Sequence, residues 1–109
     1  MKFDYDWYKS NRNNREGVWI ATACMVVKTF QSDGELYLVA TIANDDATLS
    51  NHDVLLQATE EVSFDEVIDG DVLAILGTTE EMNQVTIGKS YSEWLPTINV
   101  AEMEVAPRQ

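Results

Sequence analysis

Between residues 29 and 88 the chain contains no lysine and no arginine. The same sixty residues hold thirteen acids: Asp33, Glu35, Asp45, Asp46, Asp53, Glu60, Glu61, Asp65, Glu66, Asp69, Asp71, Glu80 and Glu81. A stretch without bases cannot neutralise its own carboxylates locally, so the surface is expected to present a wide negative field. That field disfavours nucleic acid and anionic membranes as partners, because both are bound through Lys and Arg. Cysteine is nearly absent as well. With Cys24 alone, an internal disulfide is excluded, and a reducing, cytoplasmic location is expected. The single histidine, His52, lies 28 residues from Cys24. One Cys and one His do not supply the roughly four short-spaced ligands of a zinc site.

Long apolar runs are missing too. The longest, "VWIATACMVV" at 18–27, has ten residues, half of the roughly 20 that a membrane-spanning helix needs. The opening "MKFDYDWYKSNRNN" places aspartates where a signal peptide requires a continuous apolar core, so a soluble chain without an export signal is expected. There is no Walker loop, no G-x-G-x-x-G and no G-x-S-x-G, so no phosphate cradle or hydrolase nucleophile is legible.

What is present suits a globular fold. A length of 109 residues fits one domain, 1–109. A hydrophobic fraction of 45% and a charged fraction of 24% argue against disorder despite a net charge of −12. The charge is unevenly placed. Residues 1–28 carry five bases against three acids, for +2; residues 29–88 carry −13; residues 89–109, with Lys89 and Arg108 against Glu93, Glu102 and Glu104, carry −1. Three readings compete for this asymmetry: solubility or adaptation to a salty cytoplasm, recognition of a basic protein, and binding of divalent cations.

Along the chain, "KFDYDWY" (2–8) alternates Phe3, Tyr5 and Trp7 with charged residues, the period of a strand with one aromatic face. "VWIATACMVVKTF" (18–30) is rich in β-branched and aromatic residues on both parities, as in a central strand covered on both faces, which puts Trp19 in the core. Asp33-Gly34 is the strongest hairpin signal in the chain, so 36–44, "LYLVATIAN", should pair antiparallel with that strand. "VLLQATEEV" (54–62) is ambiguous. Gln, Ala and two Glu favour a helix; a strand would put Val54, Leu56, Ala58 and Val62 on one side.

Four carboxylates crowd residues 65–71 in "SFDEVIDGDVLAILG" (63–77). Ser63 with Glu66 fits a capping box, and Asp69-Gly70-Asp71 reads as a tight turn before "VLAILG" enters the sheet. "TTEEMN" (78–83) reads as a polar turn, "QVTIG" (84–88) as a short strand, and Ser92–Leu95 as a single helical turn stopped by Pro96.

None of the acids matches a metal motif. The window "DEVIDGDVLAIL" has Val at the third position of an EF-hand loop and Leu at the twelfth, where an oxygen ligand and a bidentate Glu are needed, so only a looser site using Asp69, Asp71 and Asp45 or Asp46 is conceivable. The doublets Glu60-Glu61, Asp65-Glu66 and Glu80-Glu81 diverge in direction on any regular element, which suits solvated charges better than an acid/base pair. Cys24 in its apolar run reads as inert core, and His52 beside Asp53 as a local contact or cap. Trp7, Tyr8, Tyr91 and Trp94 lie near polar loops or chain ends and are candidate interface anchors, since Trp and Tyr bury much area and keep a polar handle.

The pattern predicts a small α+β domain, with an antiparallel sheet of four to six strands and one or two short helices, or a partly closed barrel. A small all-β barrel is the alternative. For function it predicts a non-enzymatic acidic protein without a cofactor. Such a protein would dock on a basic protein partner as an inhibitor, DNA mimic or immunity-type protein. Glu60, Glu61, Asp65, Glu66, Asp69 and Asp71 would steer association, and Trp94 and Tyr91 would anchor it. The alternatives are an aromatic-lined small-molecule site or minor enzyme, and a homo-oligomer that buries one apolar sheet face.

Overall fold

The computed structural model describes residues 2–43 and 48–108, the side chain of Asn51 excepted. It is mostly sheet. A six-residue helix, α1 (Tyr5–Ser10), precedes five strands: β1 (Trp19–Ser32), β2 (Glu35–Ala43), β3 (Leu49–Ala58), β4 (Val72–Ile87) and β5 (Tyr91–Val105). They close into a barrel in the order β1-β2-β3-β5-β4. All pairings are antiparallel except β3 with β5. The fold is therefore nearer to the all-β alternative than to α+β.

β1 and β4 are each shared between two neighbours, and this sharing allows closure. Residues 19–25 of β1 pair with β4, while 24–32 pair with β2. Strands of 14 to 16 residues exceed the usual length of about 3–10 and must bend. Bulges at Val26/Lys28 and Glu80/Asn83 supply the bends. The Asp33-Gly34 hairpin forms as expected, with φ of 53° and 82° at its two central residues.

Parity along the strands sorts the core. Ile20, Cys24 and Val26 of β1, Leu38, Ala40 and Ile42 of β2, Val54 and Leu56 of β3, Leu73 and Ile75 of β4, and Ile98 and Val100 of β5 fill the barrel. Each such fully buried apolar side chain contributes roughly 1.5–3 kcal/mol gross. The opposite parity turns outward, so Trp19 is 56% exposed rather than in the core. Its row mates Ala21 and Ala23 are exposed too, and β1 is not covered on both faces. The bulge after Val26 shifts parity. Val27 and Phe30 thereby join a second cluster outside the barrel, in which Val85 and Leu95 of the β4–β5 hairpin cover Val39 and Leu55.

Several local expectations are overturned by nonlocal contacts. Residues 2–8 do not form a strand: Asp4 accepts the Trp7 amide at 3.0 Å and caps α1, which turns Phe3 and Tyr8 into the barrel. Tyr8 is thus a core residue and not an interface anchor. Residues 54–58 belong to β3, where pairing on both edges and burial of Val54 and Leu56 outweigh the helix preference of Gln and Ala. The "TTEEMN" segment runs within β4, and Ser92–Leu95 lies in β5. Pro96 is tolerated there because the Glu80/Asn83 irregularity leaves it without an opposite residue.

Candidate functional site

Residues 59–71 carry six of the carboxylates marked out by the sequence, and their backbone is held at several points. Thr59 starts the loop: its amide and hydroxyl donate to the Val100 carbonyl, at 3.2 and 2.9 Å. The expected helix at Ser63 does not form. The Ser63 hydroxyl accepts the Asp65 amide, two residues on, and the Ile68 amide goes to the Asp71 carboxylate instead of a helical carbonyl. One turn remains, closed by the Val67 amide on the Phe64 carbonyl, and it buries Phe64 and Val67 in the barrel core.

At the loop's far end the Asp69-Gly70-Asp71 turn forms with Gly70 at φ 90°, a conformation that glycine adopts without strain. The Gly70 amide bonds the Val26 carbonyl and the Val26 amide bonds the Asp71 carbonyl, both at 2.8 Å, locking the turn to β1 beside its bulge. Asp69 accepts the Thr29 amide at 3.1 Å. Arg108 then clamps the loop. Its Nε and Nη2 reach the two Asp71 oxygens at 2.7 Å each, and Nη2 also donates to the Glu66 carbonyl at 2.8 Å.

The six acids consequently differ in kind. Asp71 is buried and neutralised, and the Arg108 guanidinium followed by the Ile68 amide lowers its carboxyl to about 2. Glu60, Glu61, Asp65 and Glu66 are exposed, as is Asp69 with its bond to Thr29. The Asp71 shift sets a sign for acid stability. A lowered carboxylate pKa contributes stability that is present above the ordinary value of 3.8 and is lost as pH falls through about 2. Between about pH 4 and 2 the urea midpoint is expected to fall, and Asp71→Asn should start from a lower midpoint at neutral pH and show a flatter decline across that window. An unchanged slope in Asp71→Asn would remove Arg108–Asp71 as the acid-sensitive clamp.

Tyr91 and Trp94 lie at the start of β5, away from this loop, which meets β5 at Val100 and beyond. Eight residues of strand, about 25 Å, separate Trp94 from Glu102. The structure thus does not bring the aromatic anchors and the acidic loop together. It gathers the aromatics with residues that the sequence reading did not connect to them. Tyr91 donates its hydroxyl to Asp53 Oδ2 at 3.1 Å, and burial, then the Asp53 charge, push that hydroxyl above its ordinary pKa. His52 stacks on Tyr5 at 4.1 Å between ring centroids and 20° between planes. With Glu93 and the 61% exposed Trp94, these residues line an open cleft of about 250 Å³. The sequence hint for this cleft was "YSEWLP", where rings alternate with an acid near a proline. Tyr5 and Asp53 carried no hint, because their places depend on α1 and β3.

Elsewhere the chemistry is closed. Cys24 faces the barrel interior, and burial pushes its thiol up to about 12, far from a reactive thiolate. His52 is on the surface against Tyr5, so the two do not form a nucleophile–base pair. Among the described residues no group of three or more His, Cys, Asp or Glu is placed to hold a metal ion. Of the looser cation site, Asp71 is taken by Arg108, and Asp45 and Asp46 lie outside the described residues. Among the described residues no helix is long and apolar enough to cross a membrane. Neither a protein-family model nor a curated protein matches the chain.

Proposed function

We propose that the chain is a non-enzymatic binding protein that docks on a basic protein through the exposed carboxylates of the 59–71 loop. The carrying observation is the Arg108 clamp. It fixes the loop backbone while Glu60, Glu61, Asp65 and Glu66 stay exposed, so the negative surface is preorganised and loses little freedom on association. Residues 29–88 contain no base, and the Arg108 cation on the loop is paired with Asp71, which leaves the other carboxylates to set the field. A basic cleft built for nucleic acid, or a basic toxin, offers the matching charge.

The barrel type supports the choice of surface. OB-type five-stranded Greek-key barrels take ligands on the face of strands 2 and 3. In this chain the outer face of β2 and β3 is occupied by Val85 and Leu95 of its own hairpin. That packing covers part of the face, whereas the carboxylates of the loop are exposed.

Affinity capture from a lysate of the source organism tests the proposal, with the wild type compared against Glu60→Lys/Glu61→Lys/Asp65→Lys/Glu66→Lys. A basic protein held at low salt, released at high salt and lost by the variant is the expected result, with association slowed about 10- to 1,000-fold. Capture that survives the charge reversal, or an empty low-salt capture, would sink it. A second reading, self-association, is favoured by the uncharged outer rows Trp19–Thr78, Ala21–Leu76 and Ala23–Ala74 of β1 and β4. Light scattering of the purified chain at both salt concentrations separates the two: a stable dimer indifferent to the charge reversal belongs to this second reading.

A further inference from the structure

We propose that the cleft between Tyr5, His52, Asp53, Tyr91, Glu93 and Trp94 binds the guanidinium group of an arginine side chain presented by a partner. Four features of the cleft point to this cation. Two carboxylates, Asp53 and Glu93, line it, and no Lys or Arg does. Trp94 is the most exposed large apolar side chain of the described residues and lines the same cleft, so an indole is available near the negative charge. Cations are drawn to such faces, Trp best of all. The third feature is orientation. Tyr91 donates to Asp53 Oδ2, which sets the carboxylate while its remaining lone pairs can accept from a planar fork of N–H donors.

The fourth feature is size. At about 250 Å³ the cleft falls below the roughly 300–1,000 Å³ of sites for drug-sized ligands and suits one side-chain head with its stem. Tyr5 already has His52 stacked on it and the Lys9 ammonium 5.6 Å from its centroid, which leaves Trp94 and Tyr91 as the rings for the ligand. A planar guanidinium satisfies both demands at once, stacking on the indole and forking onto the carboxylate; a compact ammonium does only the second. Thr41 adds to the polarity of this end. It sits directly across the β2–β3 pair from Asp53, and its buried hydroxyl has no hydrogen-bond partner among the described residues.

The inference does not depend on the 59–71 loop, which lies at the other end of β5, and its test uses none of the loop residues. The Trp94 indole N–H resonance, assigned with Trp94→Phe, is followed by NMR at low salt as N-acetyl-L-arginine amide is added to the full chain. The expected result is a saturable shift with a dissociation constant of about 1–10 mM, confined to the cleft residues. The corresponding citrulline compound, uncharged and nearly the same shape, should not shift the resonance saturably. Asp53→Asn and Glu93→Gln, with unchanged amide dispersion as the check on folding, should each weaken binding at least tenfold. Free L-arginine should bind no more tightly than the capped form, because the guanidinium is the group recognised and the α-ammonium and α-carboxylate of the free amino acid offset each other.

No saturable shift up to about 50 mM, or equal shifts from the citrulline compound, would overturn the assignment. Tighter binding of free arginine than of the capped form would overturn the partner-borne origin and make the ligand a free amino acid. Full affinity in both carboxylate variants would overturn the recognition mechanism.

Discussion

Replacing Tyr8 by alanine is expected to cost about 4 kcal/mol, a large share of the roughly 5–15 kcal/mol by which a domain is stable. The ring is fully buried and is one of the largest side chains in the barrel core. Phe3 packs against it at 5.8 Å and the Arg15 guanidinium lies 4.5 Å over its face, while its hydroxyl donates to the Glu80 carbonyl. Arg15 is in turn buried and bidentate to Glu81, at 3.0 Å for both contacts, and its carbonyl accepts the Thr79 hydroxyl. Truncating Tyr8 therefore opens a cavity and also removes the surface under a buried guanidinium.

Tyr8→Phe separates the two contributions. It keeps the volume and leaves the Glu80 carbonyl short of a donor, so a cost of about 1–2 kcal/mol is expected. Urea unfolding followed by tryptophan fluorescence measures both variants. A Tyr8→Ala cost under about 1 kcal/mol would mean that the N-terminal segment does not plug the barrel.

Gly77→Ala is expected to be at least as damaging, about 3 kcal/mol or more, for a different reason. Gly77 lies on β4 opposite Val100, at the irregularity where β4 and β5 shift register. A Cβ there would sit 2.1 Å from the Asn99 carbonyl oxygen and 2.9 Å from its carbon. Those are backbone atoms of the neighbouring strand, so no side-chain rotation relieves the clash, and the strands must separate where the barrel closes. The backbone of Gly77 is not in the left-handed region, so the effect reports close approach and not conformational freedom.

Gly88→Ala is the control. Gly88 turns the β4–β5 hairpin at φ 61° with nothing within 4 Å of the added carbon, so only the left-handed cost of about 1–2 kcal/mol is expected. Thermal melts of the two variants should rank in that order. Equal melting temperatures would show that the β4–β5 contact relaxes at little cost.

The β1–β2 hairpin was legible in the sequence, because each of its signals is local. β-branched and aromatic residues cover 18–30 and 36–44, and Asp33-Gly34 joins them with the turn that left-handed residues permit. Residues 54–58 were illegible for the opposite reason. Val-Leu-Leu-Gln-Ala has no decisive local preference, and it became a strand because β2 on one edge and β5 on the other supplied hydrogen bonds that no neighbour in sequence could. The N-terminus misled in a third way. Its alternation of rings matched a strand, while the deciding signal was one capping residue, Asp4, together with the space the barrel left for Phe3 and Tyr8.

The candidate sites divide along the same line. The acidic character of 59–71 could be read directly, since charge is a property of composition, yet the sequence did not show that Asp71 is consumed by Arg108, 37 residues away. Tyr91 and Trp94 could be marked as anchors, but Tyr5, His52, Asp53 and Glu93 come together with them only after α1, β3 and β5 have found one another.

By itself, then, the sequence determined the separation of charge, the solitary cysteine and the first hairpin, all set by composition or by residues within a turn of each other. Tertiary structure alone decided which parity of each strand faces inward, which carboxylates stay free of cations, and which rings share a cleft. Those outcomes depend on strand register and barrel closure, and register is set by contacts between residues far apart in the chain.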